Sequence, residues 1–390
     1  MPEHTQSPAP LRAAVARRAA LTMALAVALA LAACTGRPSA VPDTPAAAAS
    51  PVPSATPAPA PTAAPAAETP TPGAPDGDAD ALRLRALAEV ARGDVAAALE
   101  SADRAVELAP AGLEAHDARA YVRLIAGQHR QAYAEYEFIL DQGARPATAL
   151  LGAGLAAAAL GDAHTAESLL TEGLQLARAG DASLWEADPQ LRFLASSASA
   201  TLLAQHAPAL ADAIRAGRLD DALELLDQIE TWAWGRDLAF ACEQRAAIHA
   251  SRAEYEPAVD LLTRAIEIEP TARRYASLGQ ALYYLGMHLD ALRAYSTAIR
   301  LDPDNVQLYE DRAFINAKAD QFDRALVDLD HAIGLAPDNP SLHALRGEAH
   351  YHLGNTEAAI ADFRTTLELN PADADAALAR ERLAELAPAP

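Results

Sequence analysis

Residues 273–303, which read RRYASLGQALYYLGMHLDALRAYSTAIRLDP, are the stretch that decides the fold. Apolar residues recur three or four positions apart in each half of this stretch, which predicts two amphipathic helices. Gly286 separates the halves, and Pro303 ends the second one because proline cannot continue a helix. The stretch therefore predicts a hairpin of two helices followed by a stop.

The same hairpin recurs along the chain. Two residue types keep a step of 33 or 34 residues between positions 239 and 371, namely the alanines Ala258, Ala291, Ala325 and Ala359 and the prolines Pro270, Pro303, Pro337 and Pro371. A step of 34 also separates Ala98, Ala132 and Ala166. Hairpins repeated at such a period bury their apolar faces only by stacking on one another. We therefore predict an all-α fold, a right-handed α-solenoid with an inner groove.

The repeat resembles the tetratricopeptide repeat (TPR) family. The residues of the first stretch that carry the resemblance are Tyr275, Leu278, Gly279, Leu282, Gly286, Ala291, Tyr295, Ala298 and Pro303. The resemblance implies a protein that binds proteins or peptides, with the first helix of each hairpin lining the groove. The inward positions are Phe240, Glu243, Arg273, Gln280, Tyr283, Gln307, Glu310, Phe314, Lys318, Glu348, Tyr351 and His352.

Aromatic and mixed polar side chains at these positions suit peptide recognition. An alternative is that Tyr283 and Phe314 only pack between neighbouring helices. One variant of the family clamps the terminal carboxylate of a peptide with Lys, Asn and Arg. This chain carries other residues at those positions, among them Gln244, Ser277, Asp311 and Leu345. The resemblance therefore does not extend to binding of chaperone tails.

Residues 1–33 have the pattern of an export signal. Basic residues precede an uncharged apolar run over residues 19–33, which is short for a membrane span. The run ends in Leu-Ala-Ala before Cys34 and resembles the lipobox of bacterial lipoproteins, in which this cysteine carries the lipid. The resemblance implies anchoring at Cys34, either on the outer face of the cytoplasmic membrane or at the outer membrane. A plain signal peptide and an uncleaved anchor are the alternatives.

The remaining chain divides by composition and period. Residues 34–78 are rich in Pro, Ala and Thr, which predicts a disordered linker after the lipidated cysteine. Residues 79–178 form a first block of about three repeats, and residues 238–371 a second block of four. Residues 179–237 between them predict an irregular helical connection with a degenerate repeat, and residues 372–390 a capping helix and tail. Trp232 and Trp234 either fill space between the blocks or form a binding hot spot.

Composition and motifs argue against several functional classes. The net charge of −22 repels nucleic-acid phosphates, so we expect no nucleic-acid binding. The sequence contains no nucleotide-binding glycine loop, HExxH or Gly-x-Ser-x-Gly motif. His343 and His350 lie two helical turns apart, or about 10 Å, too far to share one metal ion without other ligands. We predict no catalytic residues, no metal and no cofactor, and a buried, inert thiol at Cys242.

These patterns favour a non-enzymatic, membrane-anchored scaffold whose groove binds an unidentified protein or peptide in the bacterial cell envelope. An alternative is an accessory or regulatory factor for an enzyme of cell-wall or outer-membrane assembly. An enzyme with an unrecognised site is a remote alternative. Self-association through a terminal repeat stays open.

Overall fold

The chain is all-α over the residues that the computed structural model describes, which are 78–144, 146–179, 188–370, 372 and 374–386. These residues form seventeen helices and no strand, so the predicted all-α repeat fold is confirmed. The predicted signal peptide, Cys34 and almost all of the predicted linker lie outside the described residues. Within the described ranges, no helix combines the length and the apolar character that a membrane span requires.

The helices follow one another without other secondary structure. In chain order, α1 to α8 are Ala79–Ala91, Val95–Leu108, Leu113–Ile125, His129–Asp141, Ala147–Ala159, Ala163–Ala179, Pro189–Arg215 and Leu219–Trp232. Helices α9 to α17 are Arg236–Ser251, Tyr255–Ile268, Ala272–Tyr284, His288–Leu301, Val306–Lys318, Phe322–Leu335, Pro340–His352, Thr356–Leu369 and Ala374–Leu386.

The chain divides into two compact units. Of the described residues, the first unit contains those up to 216 together with 231–234, and the second contains 217–230 and 235–386. In the first unit the hairpins are α1–α2, α3–α4 and α5–α6, and α7 packs on α5 and α6. In the second unit the hairpins are α9–α10, α11–α12, α13–α14 and α15–α16, and α17 packs on the last of them.

Each of these hairpins turns through a residue in the left-handed conformation. Gly286, for example, has a φ of 78°, which glycine adopts without strain. Ala253 and Asp320 hold the same place in two other hairpins with φ values of 60° and 56°, where a side chain is uncommon. The turn geometry is therefore kept even where the glycine is not.

Glycines inside the helices let bulky rings approach the backbone. A Cβ atom on Gly279 would lie 2.7 Å from the ring of Tyr295, which comes from the second helix of the same hairpin. Gly152 on α5 holds a closer contact, because a Cβ there would lie 2.1 Å from the ring of Tyr136 on α4. These positions need glycine because a ring fills the space that a side chain would take.

Arginines that pair with buried carboxylates tie successive hairpins together. Arg346 on α15 donates to both carboxylate oxygens of Asp362 on α16 at 2.9 and 2.7 Å, and to Asp330 on α14 at 2.7 Å. Its partners lie sixteen residues before and after it in the sequence. The same spacing recurs at Arg119, with Asp103 and Glu135, and at Arg312, with Ser296 and Asp328. We call Arg119, Arg312 and Arg346 the bridging arginines.

Helix α7 is a single helix of 27 residues, about twice the length of most of its neighbours. The sequence predicts one helix over Leu191–Gln205 and a second from Ala207, yet the observed helix continues through Pro208. Pro208 is exposed, so its ring meets solvent, and the helix loses the hydrogen bond that its missing N–H would have donated.

The two tryptophans pack within the first unit. Trp232 is buried, and its ring centre lies 5.7 Å from that of His206. The backbone N–H of Trp234 donates to the hydroxyl of Ser199 at 3.0 Å. Packing therefore accounts for Trp232 better than a binding hot spot does.

The last helix, α17, buries a face that overlaps the predicted one. The sequence predicts one apolar side with Ala377, Leu378, Leu383 and Leu386. Leu383 and Leu386 pack on Ala359, Phe363 and Ala379, but Ala377 is exposed. Ala376 and Ala379 are fully buried, because these alanines lie on the same helical face as Leu383 and Leu386.

Candidate peptide-binding groove

The predicted groove residues lie on the first helices of the four hairpins of the second unit. They are Phe240 and Glu243 on α9; Arg273, Gln280 and Tyr283 on α11; Gln307, Glu310, Phe314 and Lys318 on α13; and Glu348, Tyr351 and His352 on α15. Side chains from neighbouring helices meet at two points. Glu243 pairs with Arg273 at 2.9 Å, and the ring centres of Tyr283 and Phe314 are 5.7 Å apart.

A continuous row of aromatic rings runs across three hairpins. Tyr255 stacks on Tyr284 with ring centres 4.8 Å apart, and Tyr284 meets Tyr283 edge-on at 5.5 Å. Tyr283 then meets Phe314 edge-on. We call Tyr255, Tyr284, Tyr283 and Phe314 the aromatic row. Sequence reasoning missed Tyr255 and Tyr284, although the adjacent tyrosines 283 and 284 were a signal.

The aromatic row is partly open to solvent. Tyr284 is 40% exposed, while Tyr283 and Phe314 are partly buried against the core of α11 and α12. The rings of Tyr283 and Phe314 therefore pack between helices and also leave some surface accessible, and their part in peptide binding stays a prediction. Edge-to-face and stacked contacts fix the rings, so a ligand would meet a preformed apolar surface.

A positive charge lies beside the aromatic row. The ammonium group of Lys318 is 5.3 Å from the centre of the Phe314 ring. Lys318 is the only lysine in the sequence, and it stands in the last turn of α13, where the helix dipole favours a cation. The imidazole of His288 lies 5.4 Å from the centre of the Tyr283 ring.

Two predicted groove carboxylates are neutralised by arginines. Glu243 is buried and accepts hydrogen bonds from Arg273 and from Arg274, which is itself buried. Glu348 pairs with Arg382 of α17 at 2.7 Å. These carboxylates therefore contribute to packing rather than presenting free negative charge to a ligand.

Helix α17 closes one end of the groove. The Tyr351 hydroxyl donates to Glu385 at 2.9 Å, and the guanidinium of Arg382 lies 4.6 Å from the Tyr351 ring centre. The hydrogen bond to Glu385 raises the pKa of the Tyr351 phenol above its usual value. Helix α17 thus contacts Glu348 and Tyr351 on α15, while His352 stays exposed.

One carboxyl group beside the aromatic row has a strongly shifted pKa. Burial raises the pKa of Asp311 to about 6, although hydrogen bonds from Gln307 and Tyr295 oppose the shift. The same burial and the nearby carboxyl hold the pKa of the Tyr295 phenol well above its usual range. The charge beside the row therefore changes close to neutral pH.

The described ranges contain no group of three or more His, Cys, Asp or Glu residues that could hold a metal ion. His343 is buried and satisfied, with Nε2 at 2.8 Å from the carbonyl of Pro337 and Nδ1 at 3.4 Å from Asp362. Cys242 is a buried free thiol whose pKa burial raises, which keeps it protonated.

Comparison with known proteins places two stretches of this chain in a repeat family. Models described as "Tetratricopeptide repeat" match residues 66–112 and the overlapping stretches 287–346 and 335–384.

Curated relatives share only part of their length with this chain. A DnaJ homolog subfamily C member 7 homolog of Schizosaccharomyces pombe is 36% identical over 103 residues, which is 25% of this chain and 21% of that protein. The Hsp70-Hsp90 organizing protein of Triticum aestivum is 32% identical over 95 residues, 24% of this chain and 16% of that protein. The chain thus spans about a fifth of the length of these relatives or less.

Solved structures with helical repeats also match. MamA is 16% identical with a TM-score of 0.39, covering 45% of this chain and 96% of MamA. YrrB, titled a TPR protein with an unusual peptide-binding site, is 17% identical with a TM-score of 0.39, covering 48% of this chain and 91% of YrrB. Models of the tetratricopeptide repeat thus match one stretch in each of the two units, and helical hairpins recur in both units.

Proposed function

We propose that this protein is a non-enzymatic, lipid-anchored scaffold of the bacterial cell envelope that binds a protein or peptide along the aromatic row of its second unit. The observation that carries the proposal is the row itself: four rings from successive hairpins, held by mutual contacts and open at Tyr284. Stacked tetratricopeptide repeats bring side chains of successive hairpins next to one another, so they can form such a row.

Physical chemistry makes the row a suitable binding surface. Tyrosine rings bury a large apolar area, and their few rotatable bonds limit the entropy lost on binding. Rings already fixed by neighbours lose still less, which is the benefit of preorganisation. Burying one aliphatic side chain of a ligand against them contributes about 1.5–3 kcal/mol.

The binding proposal is tested by capturing partners from an envelope extract with the soluble chain that begins after Cys34. The variant is Tyr284→Ala with Phe314→Ala, which removes half of the aromatic row. Val327→Ala is the matched control, since Val327 is an exposed apolar residue of the same unit that lies on α14. We expect a protein enriched by the wild type and the control and lost by the variant.

Affinity for the captured partner sharpens this test. Truncation of a hot-spot aromatic costs about 2 kcal/mol or more, so the Kd should rise at least about 30-fold in the variant and stay nearly constant in the control. Circular dichroism confirms that all three proteins are folded. Equal affinity of all three for every captured protein would place binding away from the aromatic row.

The anchor is proposed from the sequence before residue 35. An uncharged apolar run ends directly at Cys34, and a lipid on this thiol would hold the protein at a membrane. Changing Cys34 to Ser should move the protein from the membrane fraction to the soluble fraction after cell lysis. Retention of the Cys34→Ser protein in the membrane fraction, with its signal segment still present, would exclude a lipid anchor and favour an uncleaved helix.

A further inference from the structure

The first unit contains a helix that is longer than its repeat requires. The first helices of the other hairpins have 13 to 16 residues, whereas α7 has 27. Helix α7 packs on α5 and α6, as the next helix of a repeat array would. Its first half, Pro189–Leu202, extends further and reaches α3. We call Pro189–Leu202 the α7 extension.

The α7 extension rests on α3 through one polar and one aromatic contact. The side-chain amide of Gln190, which is buried, donates to Asp117 at 2.9 Å. One turn later, the ring of Phe193 meets the ring of Tyr121 edge-on, with centres 6.0 Å apart. The next turns are buried as well, since Leu194, Ala195, Ala198 and Ser199 are all inaccessible. The extension is therefore buried along one side, and its contact with α3 lies in its first turns, where Phe193 stays 45% exposed.

Asp117 and Tyr121 occupy groove positions. They precede the left-handed turn residue Gly127 by ten and six residues. In the second unit, Glu310 and Phe314 precede the left-handed Asp320 by the same intervals. The α7 extension thus covers, in the first unit, the positions that carry the candidate binding site in the second. Tyr121 is only 7% exposed as a result.

The contact between Gln190 and Asp117 leaves part of the Asp117 carboxylate without a hydrogen bond within the described part of the chain. One carboxylate oxygen of Asp117 accepts from Gln190, but the other is buried without a hydrogen-bond partner among the described residues. The buried hydroxyl of Tyr136 also has none. A buried acceptor without a donor costs about 1–3 kcal/mol. A helix that offered Asp117 two donors, as an arginine does, would recover part of this energy.

From these contacts we infer that the α7 extension is an internal ligand of the first unit, which closes its inner face to other helices. The face fits an amphipathic helix that presents a hydrogen-bond donor to Asp117 and, one turn later, an aromatic ring to Tyr121. In the absence of another ligand, α7 itself supplies this donor and this ring, through Gln190 and Phe193. Because the extension is covalently continuous with the rest of α7, its effective concentration is on the order of millimolar, so an external helix with equal contacts is excluded at micromolar concentrations.

The test uses the full chain and a fluorescein-labelled synthetic peptide with the sequence of residues 188–206. Gln190→Ala with Phe193→Ala weakens the internal contact. Arg192→Ala is the matched control, because Arg192 is exposed on the same turn of α7. Fluorescence anisotropy should show binding to the double variant at least about tenfold tighter than to the wild type or the control, as expected when a tethered competitor is released. Equal binding by all three proteins would overturn the inference.

A second variant approaches the contact from the other side without altering α7. Tyr121→Ala removes the partner of Phe193, and hydrogen exchange then reports on the amides of residues 190–196. We expect their exchange to accelerate at least about tenfold while that of helices α10 to α16 stays unchanged. Unchanged exchange in residues 190–196 would show that the extension does not depend on α3, and the inference would be wrong. Neither experiment depends on the aromatic row, so each outcome is separate from that of the binding proposal.

Discussion

Removing one bridging arginine should destabilise the second unit far more than removing an exposed arginine. Arg346 is 24% exposed and makes two hydrogen bonds to Asp362, whose side chain is only 6% exposed. In Arg346→Ala the carboxylate of Asp362 remains buried, with His343 at 3.4 Å as its remaining neighbour. The free-energy loss comes mainly from this unpaired buried charge.

The magnitude follows from the burial of the two partners. Breaking a buried ion pair costs about 3–5 kcal/mol, and a guanidinium at the edge of the core places this case near 3 kcal/mol. That is a change of about 150-fold in the local unfolding constant. Arg293 provides the contrast, because it is 81% exposed in an i,i+3 pair with Asp290, and such pairs contribute about 0–1 kcal/mol.

Hydrogen exchange of α15 and α16, together with urea unfolding followed by circular dichroism, measures the difference between Arg346→Ala and Arg293→Ala. A double variant, Arg346→Leu with Asp362→Leu, removes the charge and its partner together and should regain most of the loss. If Arg346→Ala and Arg293→Ala differ by less than about 1 kcal/mol, the pair does not hold the hairpins as argued. If the double variant is as unstable as Arg346→Ala, the cost does not arise from the unpaired carboxylate.

Other perturbations have equally definite expected results. Gly152→Ala should lower the unfolding free energy by about 1–3 kcal/mol, and with it the thermal unfolding midpoint, because its Cβ would meet the ring of Tyr136. Gly334→Ala should raise the midpoint slightly, because nothing lies within 4 Å of the new Cβ and alanine favours the helix. Burial raises the pKa of both Asp117 and Asp311 from 3.8 to about 6, so the native state binds protons more tightly than the unfolded state. Each carboxyl therefore favours folding most below about pH 4 and progressively less as the pH rises through 6. Asp117→Asn and Asp311→Asn should each flatten this dependence, and at pH 7 each should be more stable than the wild type by about 1–3 kcal/mol, measured by urea unfolding at several pH values.

The fold was predictable because the repeat has a simple physical signature. Two helices must cross closely in every hairpin, and only small residues such as Ala291 and Gly279 allow that crossing, so they recur at the period. A stop is needed after each hairpin, which proline provides. These requirements are local in sequence and identical in every unit, so composition and spacing were enough to find them.

The bridging arginines and the α7 extension were not predictable in the same way. A charged residue on an amphipathic helix usually marks the solvent face, and nothing local to Asp362 shows that an arginine sixteen residues earlier lies against it. Similarly, the contact between Gln190 and Asp117 joins residues 73 positions apart, with the three helices α4, α5 and α6 between them in the sequence. On α17 the leucines Leu383 and Leu386 were predictable, but the sequence did not show that Ala376 and Ala379 would be buried rather than Ala377.

The bridging arginines also account for something that the repeat period alone does not explain. The buried core of both units is dominated by alanine, a residue whose small side chain packs almost equally well in neighbouring helical registers. Each bridging arginine, by contrast, pairs with residues sixteen positions before and after it, and these contacts form only when the neighbouring helices are in the correct register. A shift of one helix by a single residue would leave a buried carboxylate unpaired, at a cost of about 3–5 kcal/mol. The alanines therefore allow the hairpins to stack closely, whereas the arginine pairs favour one register, and Arg312 does so for α13, the helix that carries Phe314. The variant Arg346→Leu with Asp362→Leu should therefore stay folded and yet show broader side-chain NMR signals in α15 and α16, because its packing would no longer be confined to one register.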